Sequence, residues 1–110
     1  MEQVLLVMTN LPDVTAGKKM AHALIQSRLV ACVNLLPGVQ SIYRWQGQVE
    51  EASEIMLQIK TTTSRYQQLQ QAILDAHPYT LPEVIAIPVS YGYEPYLHWI
   101  ASETIQEKNA

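Results

Sequence analysis

The amino-acid sequence predicts an α+β, ferredoxin-like βαββαβ sandwich, with a long β-hairpin arm and an extra C-terminal helix. Three observations lead there. Four short apolar or β-branched runs are separated by two stretches with helical spacing; a tight Gln46-Gly47 turn joins the middle two runs; and Glu94-Pro95 opens one more amphipathic stretch. The 110 residues contain no linker, charge block or internal repeat, so they read as one domain over 1–110.

Residues 3–9 (Gln-Val-Leu-Leu-Val-Met-Thr) form an apolar run suited to a buried strand. Asn10-Leu11-Pro12-Asp13 is a turn, and Asp13 or Thr15 supplies the cap of the next helix. From Thr15 to Arg28, Ala16, Met20, Ala23, Leu24 and Ser27 recur at helical spacing, although Gly17 weakens that helix by about 1 kcal/mol relative to Ala. Val30 to Leu36 is a second apolar strand, stopped by Pro37-Gly38. Val39 to Trp45 continues extended, Gln46-Gly47 turns the chain, and Gln48 to Lys60 returns as a strand. Two strands of about 12 residues reach roughly 40 Å at the usual rise, more than a globule of this size needs. The hairpin is therefore expected to project, and its Tyr43 and Trp45 to pack on another subunit.

Ser64-x-x-Gln67 has the form of a capping box, followed by Tyr66, Leu69, Ile73 and Ala76 at helical spacing. Pro78 ends that helix near His77. Glu83 to Val89 reads as a strand whose Pro88 belongs at a sheet edge or a bulge. In the last helix Tyr96, Trp99 and Ile100 share a face.

Composition narrows the function classes. Ten acidic residues against seven basic ones give a net charge of -3, which argues against a nucleic-acid partner. With 48% hydrophobic residues the chain can fill a core without metal or disulfide staples. Only 15% of residues are charged, below the usual quarter or so, which hints at surface covered by a partner chain. The first apolar run, Val4 to Met8, is too short for a secretory signal or a membrane span, so no membrane partner is expected. A single cysteine, Cys32, fits a reducing compartment; a cytoplasmic location is expected, and CxxC zinc sites and four-cysteine clusters are excluded.

Catalytic constellations are sparse. Cys32 sits within an apolar strand, where a buried, inert thiol is the ordinary reading. There is no nucleophile elbow or phosphate-cradling glycine loop, and the adjacent Glu50 and Glu51 face opposite ways on a strand. The segment His77-Pro78-Tyr79-Thr80-Leu81-Pro82-Glu83 is more unusual, grouping imidazole, phenol and carboxylate around two prolines. His77 either meets the helix C-terminal dipole or, with Glu83 and groups from elsewhere, offers ligands to a divalent ion. His22 and His98 read as surface residues, and Met8, Met20 and Met56 as core. Lys60 either snorkels to water, pairs with Glu83 or binds an anionic ligand in a cleft.

Leu29-Val-Ala-Cys-Val-Asn34, Ser41-Ile-Tyr-Arg-Trp-Gln-Gly47, Glu54 with Ile59-Lys60-Thr61, His77-Pro-Tyr79 with Pro82-Glu83, and Tyr96-Leu-x-Trp99 occur in that order. Together they resemble the CutA divalent-cation tolerance family, over roughly residues 4–101. The resemblance implies a ferredoxin-like subunit in a tight homotrimer, related in architecture to PII signalling proteins. It places Tyr43 and Trp45 at the trimer interface, and Lys60, Tyr79 and Glu83 in a small-ligand cleft between subunits. It implies Cu or another divalent cation and no organic cofactor, with His77, Cys32 and Glu83 as metal ligands and Met8 as a further thioether donor. Family members linked to copper carry a first-strand cysteine and a doubled histidine; here Met8 and Ala76 stand at those positions. The implied function is non-enzymatic cation tolerance, by metal or small-ligand binding, PII-like signalling or contact with a partner protein.

Two rival classes share this strand order. A small acylphosphatase-like hydrolase would use Arg44 and Asn10, but its glycine-rich loop is missing. An RNA-recognition motif needs an aromatic Lys/Arg-Gly-Phe/Tyr signature, absent from this acidic chain without phenylalanine.

Overall fold

The computed structural model describes residues 2–105. In chain order the elements are β1 (Val4–Leu11), α1 (Val14–Gln26), β2 (Cys32–Trp45), β3 (Gln48–Thr62), α2 (Tyr66–Ala76), β4 (Ile85–Pro88) and α3 (Glu94–Glu103). A single 3-10 turn, Thr63–Arg65, leads into α2. The four strands form one antiparallel sheet of order β2-β3-β1-β4. This is the ferredoxin-like α+β arrangement, with the long hairpin and the additional helix that the sequence predicts.

Alternation along the strands splits the sheet into two faces. Val7, Leu11, Ile55, Leu57 and Ile59 point to one side and form the core with Met20 and Leu24 of α1 and Leu69 and Ile73 of α2. Asp13 starts α1 from an extended backbone, its carboxylate accepting the Ala16 N–H at 2.8 Å. Gly17 is buried where α1 meets the sheet: a Cβ there would stand 3.2 Å from Leu35 Cδ2 and 3.5 Å from Leu57 Cδ2. Close approach of helix to sheet thus offsets the lost helix propensity. On the opposite face α3 caps one end, with Thr104 Oγ1 3.5 Å from Thr62 Oγ1 and Tyr96 beneath the Lys60 ammonium.

Part of that second face is apolar. Cross-strand pairing sets Leu6 beside Ile87, Met8 beside Ile85 and Leu36 beside Met56, and paired residues share a face. Ile85 and Ile87 are 50% and 48% exposed. The hairpin extends away from the core, and every residue from Ile42 to Glu51 is exposed. A radius of gyration of 14.8 Å, against about 13 Å for a compact chain of 100 residues, reflects that arm.

Local expectations fail at three places, each for a physical reason. Pro37-Gly38 does not stop the second strand: β2 runs through it, with a register shift between Leu36 and Val39. Gly38 takes φ 77°, and the extra residue forms a bulge on an edge strand, where proline's missing N–H costs no ladder bond. The Ser64–Gln67 capping box is not made; Arg65 stands at the N-cap of α2, and the Ser64 N–H donates to the Glu2 carboxylate instead. The fourth strand spans Ile85–Pro88 rather than 83–89, pairing along β1 only from Met8 to Leu5. Its Pro88 does lie on an edge strand.

Candidate functional site

The bulge at Pro37-Gly38 decides which side chains reach the site. Before it, Cys32, Asn34 and Leu36 share the second sheet face with Lys60, Gln58 and Met56; after it, Val39, Ser41, Tyr43 and Trp45 pair with Glu54, Ala52, Glu50 and Gln48. One extra residue switches the alternation, so odd-numbered side chains of β2 join the face that carries Glu54. Without the bulge, Tyr43 and Trp45 would follow Val33 and Leu35 to the core side.

A solvent-open cleft of about 880 Å³ lies along this stretch, lined by Asn10, Tyr43, Trp45, Glu54, Tyr79 and Glu83 among others. Its floor is polar and buried. Glu54 is 8% exposed and Asn10 9%. The Tyr79 hydroxyl donates to Glu54 Oε2 at 2.8 Å. Burial first, and the Glu54 carboxylate second, push the Tyr79 phenol far above its ordinary value, so it remains the donor of this pair. Glu54 forms no ion pair among the described residues. The Asn10 side-chain oxygen is buried with no hydrogen-bond partner.

His77 fixes the loop that carries Tyr79. Its Nδ1 accepts the Tyr79 N–H at 3.2 Å, which leaves Nε2 as the N–H that donates to the Asn10 carbonyl at 2.8 Å. Burial lowers the His77 pKa below 6.5, favouring the neutral ring that this pattern requires; the Asn10 carbonyl and the Glu54 charge oppose the shift. The His77 and Tyr79 rings lie 4.8 Å apart, centroid to centroid. The end of α2, the end of β1 and the middle of β3 are thereby tied together beneath the cleft.

Of the residues singled out from sequence, Tyr79 and Glu83 line the cleft, as do Tyr43 and Trp45. Lys60 is elsewhere: six residues along β3 from Glu54, roughly 20 Å at the strand rise, it donates to Asn34 Oδ1 at 2.6 Å and lies 3.9 Å from Cys32 Sγ. It therefore does not pair with Glu83. Cys32 shares that distant cluster, while Met8 lies on the apolar sheet face. His77, Cys32, Glu83 and Met8 are thus not brought together within one protomer. No group of three His, Cys, Asp or Glu side chains among the described residues is placed to hold a metal. Both His77 nitrogens are committed to backbone groups, and an ammonium stands beside the thiol, so the soft-donor set that copper favours does not fit. The acceptors that line the cleft are oxygens.

Sequence reasoning gives Asn10 only to a turn and to the hydrolase alternative, and Glu54 only to the family motif; neither is read from sequence as lining the cleft. Asn10 looked like a turn residue but is the penultimate position of β1. For Glu54 a local signal existed: it is a carboxylate next to the apolar Ile55-Met-Leu stretch of the returning strand.

Comparisons with known proteins agree with this fold. The family model described as "CutA1 divalent ion tolerance protein" matches residues 5–103. The divalent-cation tolerance protein CutA of Thermus thermophilus is 43% identical over 104 residues, covering 94% of this chain and 99% of that protein. A protein of Arabidopsis thaliana named "Protein CutA, chloroplastic" is 41% identical over 100 residues, 91% of this chain but 55% of its own length. The crystal structure of CutA from Xylella fastidiosa superposes with a TM-score of 0.90 at 42% identity, covering 93% of this chain and 98% of that one. The chain belongs to the CutA divalent-cation tolerance family.

Proposed function

We propose that the chain is a non-enzymatic, homotrimeric cation-tolerance protein of the cytoplasm that works by binding a positively charged ligand in the Glu54 cleft. The observation that carries this reading is the buried Glu54 carboxylate, open to an 880 Å³ cleft and paired with no cation among the described residues. A buried charge in that state is stabilised by whatever cation enters. Glu54, Glu83 and the Asn10 side-chain oxygen form an acceptor set that suits a hard divalent cation better than copper. Hydrolysis has little support: no nucleophile–base pair lines the cleft, and the hydrogen bonds of His77 are spent on structure.

Assembly is supported by two surfaces. The apolar sheet face around Met8, Met56, Ile85 and Ile87, and the exposed Tyr43 and Trp45 of the arm, both suit burial against copies of the chain. Three copies are what the resemblance to the family implies. The cytoplasmic assignment rests on the single cysteine; among the described residues no helix is long and apolar enough to cross a membrane.

The test is calorimetric titration of the full chain with Mg(II), Ca(II) and Cu(II), beside Glu54→Gln and His77→Ala. Binding that Glu54→Gln weakens at least tenfold is expected. No binding by any of the three ions, or binding indifferent to Glu54, would overturn the divalent-cation form of the reading.

A further inference from the structure

One face of the hairpin arm carries side chains with opposite needs. The extra residue at Pro37-Gly38 brings Tyr43 and Trp45 of β2 onto the side of Glu54, so all three line the same cleft. Tyr43 is 46% exposed and Trp45 37%, rings that suit burial against a second copy. Glu54 is buried and, among the described residues, its side chain accepts one hydrogen bond, from the Tyr79 hydroxyl. Arg44 lines the cleft too, yet among the described residues no ion pair joins it to Glu54 or Glu83. The Asn10 side-chain oxygen is a further acceptor without a donor. In the single chain the cleft is open to solvent, which screens the Glu54 charge. A copy laid over the rings excludes that solvent, and a carboxylate drawn further from water with no counter-charge opposes the contact.

We propose that the cleft face of the arm is a contact surface for a second copy of this chain, and that a cation held at Glu54 supplies the counter-charge the closed contact requires, so that cation binding and assembly promote each other. This deepens the preceding reading and rests on it, since it names the partner that completes the same site and the condition under which the site closes. The occupant is a copy because the cleft floor is continuous with the apolar sheet face assigned to assembly. Asn10 on that floor pairs with Met56, and Met8, two residues earlier on the same face of β1, pairs with Ile85. The counter-charge comes from outside the chain because the arm carries Arg44 against Glu50 and Glu51, all exposed, and so brings no surplus of positive charge. Glu83 adds a further carboxylate to the cleft lining. Whatever factor assembly adds to cation affinity, the cation returns to assembly.

The test has two arms on the full chain. In the first, Mg(II) and Ca(II) are titrated calorimetrically into the native assembly and into Ile87→Lys, whose substitution lies on the apolar sheet face outside the cleft lining. The dissociated variant is expected to bind the ion about tenfold or more weakly than the assembly. In the second, sedimentation across a dilution series in EDTA, with urea added until the native chain dissociates, compares the native chain with Glu54→Gln. The variant keeps an acceptor for the Tyr79 hydroxyl but no charge, and is expected to stay assembled at a concentration about tenfold lower than the native chain, with no further gain from Mg(II) or Ca(II). Equal ion affinity in assembly and dissociated chain overturns the proposal and leaves the cation-binding reading standing. Glu54→Gln that assembles no more tightly than the native chain also overturns it; looser assembly of that variant marks a positive charge supplied by the copy itself. If Ile87→Lys fails to fold or stays assembled, the EDTA comparison decides alone. A native chain that binds neither ion removes both readings, and one that is monomeric removes the contact.

Discussion

The Tyr79 hydroxyl donates to Glu54 Oε2 at 2.8 Å, joining the loop behind α2 to the point where β3 passes from exposed arm to buried core. Among the described residues, the Tyr79 hydroxyl is the one donor that the Glu54 side chain receives. Tyr79→Phe therefore leaves a buried carboxylate without a donor and is expected to destabilise the fold by about 1.5–3 kcal/mol. Glu54→Gln in the Tyr79→Phe background should recover part of the loss, because the uncharged amide is less costly to bury. Denaturant midpoints of the three variants at one protein concentration check both expectations.

The His77 ring gives stability a definite pH dependence. Its folded pKa is lowered by burial, so below about 6.5 the unfolded chain binds more protons at this residue than the folded one. The contribution is complete above that value and is lost as pH falls toward the folded pKa. Protonation would also place an N–H on Nδ1 against the Tyr79 N–H. Stability should therefore fall as pH drops below about 6.5 in the native chain, and less steeply in His77→Gln. Identical pH profiles for the two proteins would remove this role.

Gly17 tests how closely α1 sits on the sheet. A Cβ there meets Leu35 at 3.2 Å, and a branched side chain extends further into the same space. Gly17→Val is expected to cost about 1–3 kcal/mol, despite valine's better helix propensity than glycine. A thermal or urea unfolding curve decides it.

Gly38 isolates conformation from packing. Its φ is +77° and nothing lies within 4 Å of a Cβ built on it, so Gly38→Ala clashes with no neighbour and meets only the left-handed backbone penalty. A loss of about 1–2 kcal/mol is expected. Because the bulge sets the facing of Tyr43 and Trp45, the same variant should also weaken ligand binding in the cleft; unchanged affinity would show that the arm holds its facing without the glycine.

Features governed by neighbouring residues were legible in the sequence. Asp13 caps α1, Gln46 and Gly47 both take positive φ in the hairpin turn, and Pro88 falls on an edge strand. Features governed by distant partners were not. The Ser64 N–H takes its acceptor from Glu2, 62 residues away, so the local capping box lost to a contact that no short window contains. His77 and Asn10 are 67 residues apart, which hid both the structural use of the imidazole and the buried amide next to it. Pro37-Gly38 has the composition of a chain-reversing turn; only the long partner strand β3 converts it into a bulge. Tyr79 and Glu83, which family resemblance singled out, line one cleft within the protomer, whereas Lys60 stands roughly 20 Å along β3 from Glu54.

Sedimentation of the full chain at micromolar concentration tests the proposed assembly most directly, beside Ile87→Lys. A species near 37 kDa, three times the 12.4 kDa chain, is expected, with Ile87→Lys shifting it toward monomer. A folded monomer of the native sequence, with the apolar sheet face left in water, would contradict the trimer.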